Sequence, residues 1–431
     1  MRKTYRKRIA AWTLWGCTCL WVLTGCAHRS NESPLPPTPT PTATAAASQP
    51  ASPQATPTPV PTPTADPIQV KLAKMSIDEK IGQMILAGID GYTMTPEAHK
   101  LLESYHVGGI ILYKPNVKSS AQLVELTNAL KKANSVNQLP LWIGADEEGG
   151  RVTRLPDEII KTPTNQEIGK TGNKAFAYNV GSLLGKELHA YGLNVDFAPV
   201  LDVNSNPNNP VIGDRSFGAD ASVVTTMGVQ AMKGLQAQHV MPVVKHFPGH
   251  GDTSVDSHVG LPVVQNDLTR LRKLELVPFT EAIKQDADAV MVAHILLPKV
   301  DPQNPATMSK KMMTDLLRQE LGFQGVVITD DMTMGAITQN YNLADSAVKS
   351  VLAGANVILV GHEYDKIVAV TEALRQAVQD KRIPLDVIDQ SVTRIMKLKQ
   401  KYELKDQAVQ TPDVSVFNNT VHQLLSTYLH K

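Results

Sequence analysis

From about residue 81 to residue 360 the chain alternates short, β-branched apolar runs with longer amphipathic stretches. The runs are Ile81 to Gly88, Gly108 to Tyr113, Leu141 to Ala145, Val195 to Leu201, Met241 to Val244, Ala289 to Ala293, Val326 to Thr329 and Val357 to Val360. Each is too short to make a good helix and reads as a buried strand. The stretches between them, such as Ser120 to Asn134, Lys174 to Tyr191, Ala221 to Gln238, Leu268 to Lys284 and Asp345 to Ala353, read as amphipathic helices. Eight strands alternating with helices predict an α/β fold, a (β/α)₈ barrel of the TIM type with roughly 250 residues plus insertions. A further helix, Asp386 to Tyr402, is expected to pack back on the barrel. The part-apolar segment Val421 to Leu429 is expected to be a helix, docked or loose.

The pattern before the barrel is different. Arg2, Lys3, Arg6, Lys7 and Arg8 precede an apolar run from Ile9 to Leu23, which is short for a membrane-spanning helix and reads as an export signal. It ends in Leu23-Thr24-Gly25-Cys26, a tetrad that resembles the lipobox of bacterial lipoproteins, in which the cysteine carries the lipid. Residues 27–66 are almost entirely Pro, Thr, Ala, Ser and Gln. Such a composition buries too little apolar surface to offset ordering, and predicts an extended tether reaching on the order of 100 Å. The chain thus divides into a signal segment (1–26), a tether (27–66), a barrel (67–405) and a tail (406–431).

Charge and cysteine usage narrow the function. The net charge is +1, and with the five basic residues of the signal set aside, 37 Lys and Arg face 41 Asp and Glu. A phosphate backbone is therefore not an expected partner. Cys17, Cys19 and Cys26 all lie in the signal, so no disulfide or thiolate metal site is expected in the folded part.

Chemistry gathers where the predicted strands end, which is where an α/β barrel keeps its active site. The third run leads into Asp146, Arg151 and Arg154, the fourth through Asp202 to Asp214 and Arg215, and the fifth into Lys245 and His246. His294 follows the sixth run, and the seventh ends in Asp330 and Asp331. The segment Lys245 to His258, KHFPGHGDTSVDSH, holds a lysine, three histidines and two aspartates on a stretch whose glycines and proline forbid a regular helix. Convergence from several strand ends onto one mouth points to an enzyme.

Four motifs, DEEGGRV, GDRSFG, KHFPGHG followed by DSH, and TDDM, resemble in their order those of glycoside hydrolase family 3, in its β-N-acetylglucosaminidase branch. The similarity covers about Lys71 to Leu404. It implies a retaining exo-β-N-acetylglucosaminidase that acts, with no cofactor, on non-reducing terminal N-acetylglucosamine, as in peptidoglycan fragments outside the cytoplasmic membrane. By the same resemblance Asp330 is the nucleophile, His258 the acid/base and Asp256 its partner. Asp146, Arg154, Arg215, Lys245 and His246 then contact the terminal sugar, with Arg151 and Asp214 bracing them by ion pairing, while Glu147 and Glu148 have no assigned role. These residue types suit the tasks. A carboxylate ionised at neutral pH can attack an anomeric carbon, and an imidazole can give and take a proton near neutrality. If the seventh strand persists far enough, alternation lets only one of Asp330 and Asp331 face the mouth, and Asp331 is expected to face away.

Other readings stand beside this one. A β-glucosidase of the same family commonly draws its acid/base from a second α/β domain, for which the stretch after the barrel is too short. A chitooligosaccharide hydrolase and a phosphorylase that transfers to phosphate remain open. A metal-dependent amidohydrolase could use His246, His250, His258, Asp252 and Asp256, but Pro248 and Gly249 break the one-face helical spacing that makes paired histidines useful ligands. A sugar-binding lipoprotein without catalysis would have no use for Asp330, Asp256 and His258.

Overall fold

Eight parallel strands stand at the centre of the computed structural model, which describes residues 66–430. They are β1 (Ile85–Gly88), β2 (Gly109–Leu112), β3 (Trp142–Ala145), β4 (Val195–Asp196), β5 (Met241–Phe247), β6 (Ala289–Val292), β7 (Val326–Thr329) and β8 (Ile358–Val360). Each strand pairs with the next in sequence, and β8 pairs back on β1. A parallel bridge between Ile328 and Val357 brings β8 against β7, so the sheet closes into the expected barrel. Every strand residue is buried, as required of strands with helices outside and side chains filling the inside. The signal segment with Cys26, and the tether up to residue 65, lie outside the described residues.

Several expected elements shift for reasons visible in the side chains. The run from Ile81 is not one strand. Ser76 and Glu79 form a reciprocal capping box that starts a helix over Ile77–Gln83, and the strand begins only at Ile85. The fourth run gives a two-residue strand, because Pro199 has no N–H for the ladder. The fifth strand runs three residues past Val244, through Lys245 and His246 to Phe247. The stretch Leu268 to Lys284 is two helices, Leu268–Lys273 and Leu276–Lys284. Pro278 would clash with the carbonyl four residues earlier, at Leu274, so a continuous helix cannot pass.

The bottom of the barrel is sealed by a lysine. Lys399, on the helix Leu385–Lys401, donates to the side chain of Gln83 (2.8 Å) and the carbonyls of Gly108 (2.9 Å) and Pro140 (2.7 Å). All three ammonium protons are thereby used, and the charge also sits 4.9 Å from the centre of the Trp142 ring. The tail forms a helix, Val414–Leu429, longer than the segment expected. It is docked: Phe417, Val421 and Leu424 are buried, and Tyr428 stacks on Phe176. No described helix is long and apolar enough to cross a membrane. With the bottom closed, the polar ends of the strands meet at the opposite, upper mouth.

Candidate active site

Just beyond β3, Asp146 and Glu148, two positions apart, both line a cavity of about 480 Å³ at the barrel mouth. Between them sits the Lys245 ammonium, only 2% exposed, 2.6 Å from Asp146 and 2.7 Å from Glu148. Arg215 grips Glu148 through two parallel bonds, Nε at 2.8 Å and an Nη at 2.7 Å. Arg154 reaches Asp146 only at 3.4 Å, and its buried Nε has no partner among the described residues.

Burial works against every charge in this set. At Asp146 it is overcome by Lys245 and Arg154, against the repulsion of Glu148, and the carboxyl is held below its ordinary value. At Glu148 it is overcome by Arg215 and Lys245, and the carboxyl lies far below. Lys245 is in turn held above its usual range because the fields of Asp146 and Glu148 exceed the cost of desolvation. The set is ionised as a unit.

His246 is fixed from behind by a carboxylate that sequence reasoning left without a role. The fully buried Asp202 lies 2.6 Å from His246 Nδ1 and accepts the amides of His246 and His250. Arginine cannot accept a hydrogen bond, so the 3.5 Å approach of Arg215 to His246 Nε2 puts the ring proton on Nδ1, facing Asp202. His250 spends both ring nitrogens on the hydroxyls of Thr253 and Ser257. His294 is likewise engaged, with Thr307 and the Asp331 carbonyl. Among the described residues no group of three or more His, Cys, Asp or Glu is arranged to hold a metal ion.

Asp330 stands just past the end of β7 and opens onto the same cavity. One of its oxygens accepts the Asp331 amide at 2.9 Å. Burial raises its carboxyl, but His294, His246, the Asp331 amide and His258 together outweigh this and hold it below its ordinary value. The expectation that Asp331 faces away needs correction. The strand stops at Thr329, so alternation does not extend to the pair, and both carboxylates line the cavity. Asp331 differs in being spent on structure: it accepts the amides of Thr333 and Gly361 and the Thr333 hydroxyl.

The loop after β5 brings His258 to the rim, 65% exposed, with Nδ1 2.8 Å from Asp256 Oδ1. The same oxygen accepts the His258 amide, so one carboxylate fixes both backbone and ring. Nδ1–H then points at Asp256 and Nε2 is left to exchange a proton. Arg151 and Asp214 pair at 2.7 Å on the outer side of the mouth. All eight expected catalytic and sugar-contacting residues thus open onto one cavity.

The resemblance drawn from the motifs extends to whole chains. Residues 76–398 match the family described as Glycosyl hydrolase family 3 N terminal domain. The chain is 39% identical over 361 residues to beta-hexosaminidase A of Pseudoalteromonas piscicida, a match spanning 78% of this chain and 60% of that protein. It is 34% identical over 335 residues to beta-hexosaminidase LpqI of Mycobacterium tuberculosis, spanning 76% and 84%. A solved glycoside hydrolase family 3 beta-N-acetylglucosaminidase from Paenibacillus sp. str. FPU-7 superposes with a TM-score of 0.77 at 41% identity, covering 82% of this chain and 69% of that one. The chain belongs to glycosyl hydrolase family 3, in its β-N-acetylhexosaminidase branch.

Glu147, beside the charged set, behaves differently. Its Oε2 accepts the Thr153 hydroxyl and the amides of Arg154 and Leu155, and its own amide donates to the buried Asp196. Among the described residues no cation forms an ion pair with it, and burial, which outweighs these hydrogen bonds and the field of Arg154, pushes its carboxyl up to about 7 from an ordinary 4.5. An acid raised in this way holds its proton more tightly folded than unfolded across that window. Its contribution to stability is present below the lower value and is lost as pH rises through the upper one. The unfolding free energy of Glu147→Gln, measured by urea titration at a series of pH values, is therefore expected to gain on the parent between about pH 4.5 and about 7 and to run parallel to it outside that range. A difference independent of pH would mean that Glu147 is already ionised in the folded state.

Proposed function

We propose that this β-N-acetylhexosaminidase is a retaining exo-enzyme that releases non-reducing terminal N-acetylglucosamine, with Asp330 as nucleophile and the His258–Asp256 pair as acid and base. One observation carries the reading: an ionised carboxylate with an uncommitted oxygen and an Asp-fixed imidazole open onto the same cavity, whose floor is a set of paired charges. The floor blocks passage, so a glycan enters only by its end. The cavity volume falls within the range of small-ligand sites, roughly 300–1,000 Å³.

In the first step an Asp330 oxygen attacks the anomeric carbon while the bond to the leaving oxygen breaks. The electron pair of that bond stays on the departing oxygen, which takes the proton from His258 Nε2. In the second, His258 removes a proton from water as the water oxygen attacks the same carbon, and the Asp330 ester breaks. Asp256 stabilises the imidazolium present before the first step and regenerated in the second. Asp146 accepts from sugar hydroxyls, Arg154, Arg215 and Lys245 donate to hydroxyls and the acetamido oxygen, and His246, with its proton on Nδ1, accepts from a hydroxyl at Nε2. The long 3.4 Å contact of Arg154 to Asp146 leaves its Nη donors for this. The enzyme is exported, anchored by lipidated Cys26 and held off the membrane by the tether, where peptidoglycan fragments are the substrate within reach.

The leaving group tests the acid/base. His258→Ala is expected to lose several powers of ten on natural disaccharides, which need proton assistance, but far less in the first step on dinitrophenyl glycosides, which do not. Pre-steady-state kinetics should then show a burst, because the second step still lacks its base. An equal loss on good and poor leaving groups would mean that His258 only shapes the loop.

Anchoring is tested separately. Cys26→Ser should shift the protein from the membrane fraction to the soluble one, or leave it unprocessed, and should abolish palmitate labelling. Labelling that survives the substitution would overturn the lipid site.

A further inference from the structure

Two rings on the cavity wall have no part in the mechanism above. Tyr113 follows β2 and His362 comes soon after β8, and only β1 separates those strands. Their rings are stacked, with centroids 4.6 Å apart and planes 25° from parallel. Both turn their polar atoms to one carboxylate oxygen, Asp331 Oδ2, at 3.4 Å from the Tyr113 hydroxyl and 3.7 Å from His362 Nε2. Asp331 is itself immobilised, its other oxygen accepting from Gly361 (2.9 Å) and twice from Thr333 (2.9 and 2.7 Å).

The backbone yields to this arrangement. A Cβ on Gly361 would lie 2.1 Å from the Tyr113 hydroxyl and 2.4 Å from Asp331 Oδ2, so only glycine fits beneath the pair. Glu363, directly after His362, has φ of 65°, a costly conformation for a residue with a side chain. Such conformations persist where the surroundings over-determine them, and they cluster at ligand sites. The Asp331 amide also donates to Asp330, so the rings are tied through one residue to the candidate nucleophile.

Exposure says which part of a substrate the rings meet. Lys245 and Arg215, on the floor, are buried or nearly so, whereas the side chain of His362 is 57% exposed, close to the 65% of His258. The group that His258 protonates is the leaving oxygen, so what lies at that height in the cavity is the leaving group. Tyr113 covers one face of the His362 imidazole, which still keeps more than half of its side-chain surface exposed and lines the cavity.

We infer that His362, backed by Tyr113 and held by Asp331, is a stacking platform for a pyranose leaving group and sets the preference for a second sugar over a small leaving group. This rests on the function proposed above. The C–H face of a pyranose supplies the apolar surface that a flat ring accepts, and Tyr113 limits the orientations of the imidazole, so little ordering is needed on binding.

The test compares N,N′-diacetylchitobiose, whose leaving group is a pyranose, with β-N-acetylglucosaminyl fluoride, whose leaving group has no ring. In His362→Ala the ratio of kcat/KM for the disaccharide to kcat/KM for the fluoride should fall about fivefold, mostly through KM, the size expected for one stacked ring. His362→Phe, which keeps a flat ring, should restore most of the ratio. A parent enzyme active on both substrates with an unchanged ratio in His362→Ala, or a ratio that His362→Phe does not restore, would overturn the platform alone. A parent inactive on both would overturn the glycosidase reading and the platform with it.

Discussion

Lys245 places an ammonium in the dry centre of the barrel mouth, where it needs counter-charge from more than one direction. Asp146 and Glu148 supply it from the end of β3, and Arg215 closes the set from the loop after β4. Breaking such a pair by removing one partner leaves a buried charge uncompensated, at about 3–5 kcal/mol. The network therefore fixes three strand ends relative to one another. It also leaves donors over: Arg154 is tied only loosely to Asp146, through one Nη at 3.4 Å. A site that is rigid because its charges hold each other, yet short of acceptors, is ready for a polyhydroxylated ligand that brings them.

Against this buried floor the rim is open. His258 is mostly exposed: its ring is held by one carboxylate two residues away on its own loop, and its carbonyl accepts the Gly335 amide from the segment after β7. In the proposed mechanism floor and rim divide the work between elements of different rigidity, with the terminal sugar assigned to groups from β3 to β5 and the leaving group to a loop that must admit and release it. Asp330 lies between the two, on the end of β7 that Asp331 ties to the Tyr113–His362 wall.

The barrel was legible in sequence because short β-branched runs cannot be good helices, and five of the eight strands fall within two residues of the expected bounds at both ends. The errors have local causes. Ser76 and Glu79 announce a helix start that the apolar run from Ile81 obscured, and Pro199 and Pro278 cut short elements that hydrophobicity alone extends. In the site, Glu148 could not be read by strand alternation, because β3 ends at Ala145 and its partners Lys245 and Arg215 come from other elements. The same rule misled at Asp331, where the strand had already ended. Asp202 showed only as a polar residue after the fourth run, and nothing in the sequence joins Tyr113 to His362. Those pairings exist only once the strands are ordered around the barrel.

The account stands on the covalent chemistry of Asp330, and the intermediate can be weighed. When His258→Ala is quenched in acid during turnover of dinitrophenyl β-N-acetylglucosaminide, peptide mapping by mass spectrometry should find one N-acetylhexosamine residue esterified to the peptide containing Asp330, and fragmentation should place it on that side chain. The adduct should be absent from Asp330→Asn. A sugar found on Asp331 or on another acid, or turnover of the same glycoside by Asp330→Asn at the parent rate, would contradict it.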